Sequence, residues 1–298
     1  MLDRDTNYYL ILVFIVSYIV EYVIIIEYLS GNFAWTYILL LFLMYIPALC
    51  TSIIAVLLRG ENLSKYGIDV GSLRLAPLAY IYPLAMILIA AMIMDLLGFP
   101  IDWGFAQLKR DLYSAALERN TTPDELAATL IFNSFIAPFF NMIFAVGEEV
   151  GWRGYLLDKL MERNSLEKSL LFVGFIWAIW HAPLIIFIGY DYKTLRIRGL
   201  LLFIPFCISQ GTILAWFKYK SKGIILPALG HGAINAFSFI GNYLYPGDDV
   251  LSLVLGIPGV LISSVFGLLA YMNLRKEVFR KNKEEEEQAP DPQSFTPS

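Results

Sequence analysis

Long apolar runs, separated by short clusters of charge, dominate the pattern along the chain. Eight of them are long enough for a helix to cross a hydrocarbon core, which takes about 20 apolar residues. They cover residues 8–28, 34–58, 77–98, 127–147, 169–189, 199–217, 223–245 and 250–272, and none contains a lysine or arginine. The pattern predicts an all-α, polytopic membrane protein with about eight transmembrane helices.

The polar interruptions carry helix-start chemistry. Thr122-Pro-Asp-Glu125 has the form of a capping box with proline at the first helical position, so a helix is expected to begin there and run into the fourth span. Asn164-Ser-Leu-Glu167 has the same form ahead of the fifth. Residues 104–120 set Phe105, Leu108, Leu112 and Leu117 among charges, the pattern of a helix lying on the membrane surface. From Arg275 onward the chain carries charge runs and almost no apolar residues, a composition expected of a disordered tail. The expected organisation is a membrane domain over residues 1–274 and a charged tail over 275–298.

Composition sharpens this picture. Of 298 residues 58% are hydrophobic and only 16% charged, too few charges to cover a soluble surface of this size. A net charge of −4 supplies no basic field, so nucleic acid is not an expected partner. Cys50 and Cys207 lie in apolar runs and read as small buried hydrophobes. The first apolar run shows no cleavable signal pattern and is expected as a retained helix. Sixteen of the 22 lysines and arginines fall in the N-terminus, the second, fourth and sixth connections and the tail. By the positive-inside rule those segments, and both termini, face the cytoplasm of a multi-pass cell-membrane protein.

Ionisable groups inside the spans then need a reason, because each costs about 2.5–3.5 kcal/mol near the bilayer centre on insertion scales. The chain has two histidines, His181 and His231, and both fall within spans. At 1.5 Å per residue they lie roughly 18 and 12 Å from the cytoplasmic starts of the fifth and seventh spans. Asn235 follows His231 by four residues and shares its helix face. Glu148 and Glu149 sit at the cytoplasmic end of the fourth span, with Arg153 four residues beyond Glu149 in the favourable acid-to-base orientation. Gly147, Gly151 and Gly154 leave that helix thin enough for close approach of another helix or a peptide. Each feature alone has a plain structural reading: histidine and asparagine as interhelical hydrogen-bonding groups, Glu149–Arg153 as a structural pair. Together they place every histidine and an acidic pair at compatible depths. Glu27 and Asp95 lie near outer ends and reach water, whereas Glu21 has no assigned role.

A carboxylate, two imidazoles and an amide suit the addition of water to an amide bond. Glu148 is the candidate base, with His181 sharing or relaying the proton, and His231 and Asn235 are candidate donors to the oxyanion. No Ser–His–Asp or Cys–His nucleophile is in view, and the zinc signature H-E-x-x-H is absent. A zinc site of His181, His231 and Glu148 is the alternative, and a proton-coupled transporter is a non-enzymatic one.

Glu148-Glu-Val-Gly-Trp-Arg153 resembles the E-E-x-x-x-R motif of the CPBP family, the CAAX proteases and bacteriocin-processing proteins also called Abi. His181 resembles the histidine of that family's F-x-x-x-H motif, and His231 with Asn235 its H-x-x-x-N motif. The likeness covers residues 122–245, and it departs from the pattern at Trp177, which stands where the family has phenylalanine. It implies an eight-helix intramembrane endopeptidase resembling a type II CAAX prenyl endopeptidase, which removes the last three residues of prenylated CAAX proteins. By the same likeness Glu148 and His181 activate water, His231 and Asn235 stabilise the oxyanion, and Glu149 and Arg153 support them without a cofactor. Its implied partners are a prenylated CAAX protein or peptide and the lipid bilayer; a bacteriocin-type peptide is the alternative substrate.

Overall fold

Eight long helices take up the apolar runs, and the computed structural model describes residues 2–66 and 69–288. They are α1 (Arg4–Leu29), α2 (Phe33–Leu58), α3 (Leu73–Leu96), α4 (Pro123–Met161), α5 (Leu166–Ile188), α6 (Arg196–Ser221), α7 (Ile225–Leu244) and α8 (Ile257–Gln288). No strand occurs among the described residues. Seven of the eight are long and apolar enough to cross a membrane; the exception is α7. Its 20 residues suffice in length, but His231, Asn235, Asn242 and three glycines dilute its apolar character. The reason is position. α7 is buried along almost its whole length, so protein rather than lipid solvates it.

The helix starts follow local chemistry, with one correction. Thr122 caps α4 in a full capping box: its hydroxyl accepts from Glu125 N–H, and the Glu125 carboxylate accepts from Thr122 N–H. Ahead of α5 the cap is Ser165 alone, accepting from Lys168 N–H. Asn164, expected to open a second box, instead donates its side-chain amide to Leu160 O at the end of α4. The amphipathic stretch between α3 and α4 forms two short helices, Ala106–Asp111 and Tyr113–Glu118, instead of one. α8 continues to Gln288, past the expected end of the membrane domain at 274; residues 289–298 of the expected tail lie outside the described residues.

Three helices are irregular where the site will form. α2 breaks at Met44–Tyr45 ahead of Pro47; its first part packs on α1 and its second on both α1 and α4. α4 widens into a π-helical turn over Val150–Leu156. α5 stops at Trp180 and restarts at Ala182, because Pro183 cannot donate the N–H that would continue the helix.

Around these, α4 packs most extensively against α7, which also lies on α3 and α6, while α6 packs on α5 and α8. In lipid there is no hydrophobic drive between helices, so close fit and polar contacts hold the bundle. Gln210 on α6 shows the polar contribution, donating to Ser263 Oγ on α8 at 2.8 Å and accepting from Tyr82 on α3 at 3.2 Å. Glycines show the steric one. A Cβ on Gly232 of α7 would stand 2.5 Å from Met142 N and 2.6 Å from Pro138 O of α4. Gly147 of α4 is seated in the same way against Met44 O and Tyr45 Cα of α2. The thin face of α4 is thus occupied by α2, not open to a peptide.

Because the obstructing atoms at Gly232 are backbone, they cannot rotate away. Gly232→Ala is expected to destabilise the fold by about 1–3 kcal/mol, read as a lower melting temperature in detergent.

Candidate active site

The site is assembled from one helix end, one helix break and one buried helix. At the end of the α-helical part of α4, consecutive glutamates diverge by about 100° around the axis. Glu149 turns to α7: its Oε1 accepts from Arg153 Nη1 at 2.9 Å and lies 2.8 Å from His231 Nδ1. Both Glu149 and Arg153 are fully buried. Glu148 turns to α5, where its Oε2 accepts from Trp177 Nε1 at 2.7 Å. Glu148 Oε1 has no hydrogen-bond partner among the described residues, and the residue lines a cavity.

The break in α5 places His181. Its Nδ1 lies 2.9 Å from Trp177 O, and a carbonyl only accepts, so Nδ1 carries a proton and neutral His181 presents an unprotonated Nε2. Trp180 and Phe203 meet the His181 ring edge-on, with centroids 4.7 and 5.2 Å away, and fix its plane. His231 is oriented through Glu149 by the same logic: the carboxylate accepts from Nδ1–H, which leaves Nε2 as its other functional atom. Asn235, one turn further along α7, is exposed to the cavity.

Glu148, His181, His231 and Asn235 therefore line one cavity of about 380 Å³. α4 touches both α7 and α5, whereas α5 and α7 face each other mainly across α6 and the cavity; the Trp177 and His231 rings close that gap with centroids 5.3 Å apart. Among the described residues no three His, Cys, Asp or Glu side chains are grouped to hold a metal ion. The alternative zinc set of His181, His231 and Glu148 does not form such a group.

Three cavity residues were not singled out by the motifs. Asn141 lies seven residues before Glu148 on the same face of α4, a spacing that points to it in retrospect. Asp191 lies in the turn after α5 with left-handed backbone (φ 64°) and lines the cavity; desolvation by the surrounding protein pushes its carboxyl up to about 7. Nothing in the chain's local pattern marks it. Trp177 stood only as a departure from a motif, yet it is the donor to Glu148.

The Glu149–Arg153–His231 junction has its own cost. Glu149 Oε2 and Arg153 Nε and Nη2 are buried with no hydrogen-bond partner among the described residues, although the guanidinium carbon sits 4.1 Å from the Trp177 ring centroid. Removing one member of such a buried group strands the others. Arg153→Met is expected to destabilise by about 3–5 kcal/mol, measured as thermal unfolding in detergent against wild type.

Two comparisons with known proteins bear on this site. Residues 123–237 match the family described as Type II CAAX prenyl endopeptidase Rce1-like. The chain is also 38% identical over 103 residues to the protein named CAAX prenyl protease 2 of Methanococcus maripaludis. That likeness covers 33% of this chain and 37% of the relative, so the chain spans little more than a third of the length of the curated relative it matches. The matched family segment begins at the first residue of α4 and ends within α7, taking in all six motif residues from Glu148 to Asn235.

Proposed function

We propose, on the premise that residues 123–237 form a type II CAAX prenyl endopeptidase Rce1-like domain, that this chain is an intramembrane endopeptidase acting on the C-terminus of prenylated CAAX-type proteins. The observation carrying this reading is the shared cavity of Glu148, His181, His231 and Asn235.

The chemistry follows from which atoms are free. Water held between Glu148 Oε1 and His181 Nε2 loses a proton to the carboxylate as its oxygen adds to the scissile carbonyl. The new oxyanion accepts from the side-chain amide of Asn235 and from Nε2–H of His231. Because Nδ1 of His231 already donates to Glu149, donation from Nε2 requires the imidazolium. Charge supports that form: Glu148, Glu149, Arg153 and an imidazolium at His231 sum to zero, whereas a neutral imidazole leaves a net negative charge in a buried cluster. Collapse of the tetrahedral species breaks the C–N bond, and the proton taken by Glu148 passes to the leaving amine. Glu149 and Arg153 touch no substrate in this scheme; they hold His231.

The lysine and arginine distribution supports a cytoplasmic orientation for both termini and for the ends of α4 and α7 that bear Glu148 and His231. A prenylated C-terminus meets the membrane from that side, and its lipid can stay in the bilayer beside the cavity. Metal-free hydrolysis is part of the proposal.

The test is cleavage of a farnesylated CAAX peptide by the full chain in detergent, with and without a chelator. Glu148→Ala and His181→Ala are each expected to lower turnover by about 10²–10⁴-fold while the melting temperature stays at the wild-type value, and the chelator is expected to change nothing. Full activity of Glu148→Ala would rule the mechanism out. Equal cleavage of unprenylated peptide would replace the substrate class, and inhibition by chelator reversed by zinc would replace the metal-free chemistry.

A further inference from the structure

Trp177 is the position where the chain departs from the F-x-x-x-H pattern it otherwise resembles, and it touches Glu148, Arg153, His181 and His231. Its indole N–H donates to Glu148 Oε2 at 2.7 Å. Its carbonyl holds His181 Nδ1 at 2.9 Å. Its ring lies 4.1 Å under the Arg153 guanidinium and meets the His231 ring edge-on. A phenylalanine would supply the ring contacts and the carbonyl. Only the hydrogen bond to Glu148 requires tryptophan, since phenylalanine carries no donor.

We propose that Trp177 is a positioning residue that clamps one oxygen of the Glu148 carboxylate so that the other faces the substrate water. The inference rests on the catalytic reading of Glu148 given above. A glutamate at a helix end has three side-chain torsions, and the cavity leaves Oε1 without a partner among the described residues to restrain it. One buried, charge-assisted bond to Oε2 removes that freedom and fixes which lone pairs reach the cavity. Trp177 is the only hydrogen-bond partner of Glu148 among the described residues: His181 and His231 are engaged through Nδ1 with Trp177 O and Glu149, and Arg153 bonds Glu149.

Two variants of the full-length chain in detergent separate this role from packing. Trp177→Phe keeps the aromatic platform without the donor. Benzothienylalanine, incorporated at position 177 by amber suppression, keeps the shape of the indole with sulfur in place of N–H. Both are expected to lower kcat on the farnesylated peptide about 10- to 100-fold, with KM within twofold of wild type and an unchanged melting temperature. Wild-type kcat in the benzothienyl variant overturns the proposal, and so does a loss of kcat in it that is matched by a loss of stability. An independent readout needs no substrate. With ¹⁵N-indole labelling, the Trp177 resonance, identified by its absence from Trp177→Phe, is expected downfield and to move upfield in Glu148→Gln. A resonance indifferent to that substitution also overturns the proposal. If wild type cleaves no peptide, the catalytic reading fails, while the indole resonance still decides whether the clamp exists.

Discussion

Glu149 Oε1 accepts from a guanidinium and an imidazole at once, in a part of the protein buried from solvent, and the geometry of the site depends on that junction. It binds the end of α4 to the middle of α7, and it does so with charges that have no solvent to fall back on. A buried carboxylate with two cationic or potentially cationic partners is stable only while all three stay in place. The same junction turns His231 so that Nε2 is the nitrogen left for other work. The close approach of α4 to α7 at Gly232 belongs with it, since a side chain there would hold the helices apart and lengthen both contacts.

The irregular backbone is what lets such a junction coexist with an open cavity. A straight α5 would carry residues beyond Trp180 along the same axis; the break before Pro183 leaves His181 at the corner with its Nδ1 directed back at Trp177 O. The break in α2 lets its second part lie on the glycine face of α4 as well as on α1, and residues of its first part, up to Met44, line the cavity. Inside a membrane, non-helical backbone persists where it is buried in protein or faces a wet cavity. The breaks in α2 and α5 and the widened turn of α4 all meet that condition.

Much of this was legible in the chain before any coordinates. Apolar run length marks the spans, and the intramembrane histidines, the acidic pair and Asn235 mark a polar site by their cost, because polar groups in lipid demand partners; the adjacency of the helices that carry them is not in the spacing. What was not legible is how partners are shared. The i, i+4 spacing correctly pairs Glu149 with Arg153, but spacing within one helix says nothing of His231, which reaches the same oxygen from 82 residues away. Asp191 enters through a turn whose direction depends on the break in α5. Asn164 looked like a cap because its neighbours fit the pattern, yet the end of α4 claims its amide first. α7 is the instructive case among the spans: its weak apolar signal reflects solvation by α3, α4 and α6, which sequence hydropathy reads as a poorer membrane helix.

Adjacent glutamates of identical chemistry end up with opposite roles, and the difference is entirely in what surrounds them. Glu149 Oε1 is held by Arg153 and His231 and sealed from solvent, so its direction serves the fold. Glu148 has one neutral donor and one oxygen without a partner among the described residues, so it keeps access to the cavity. Exchanging the two would need only a rotation of about 100° about the helix axis, yet that rotation would drive a bare carboxylate toward Arg153 and His231 from the wrong side and leave Trp177 without its acceptor. The register of α4 is therefore held from both sides, by the charged junction on α7 and by the indole of α5. A site that asks one carboxylate to be rigid and its neighbour to be reactive needs both holds, because either alone leaves the helix end free to turn.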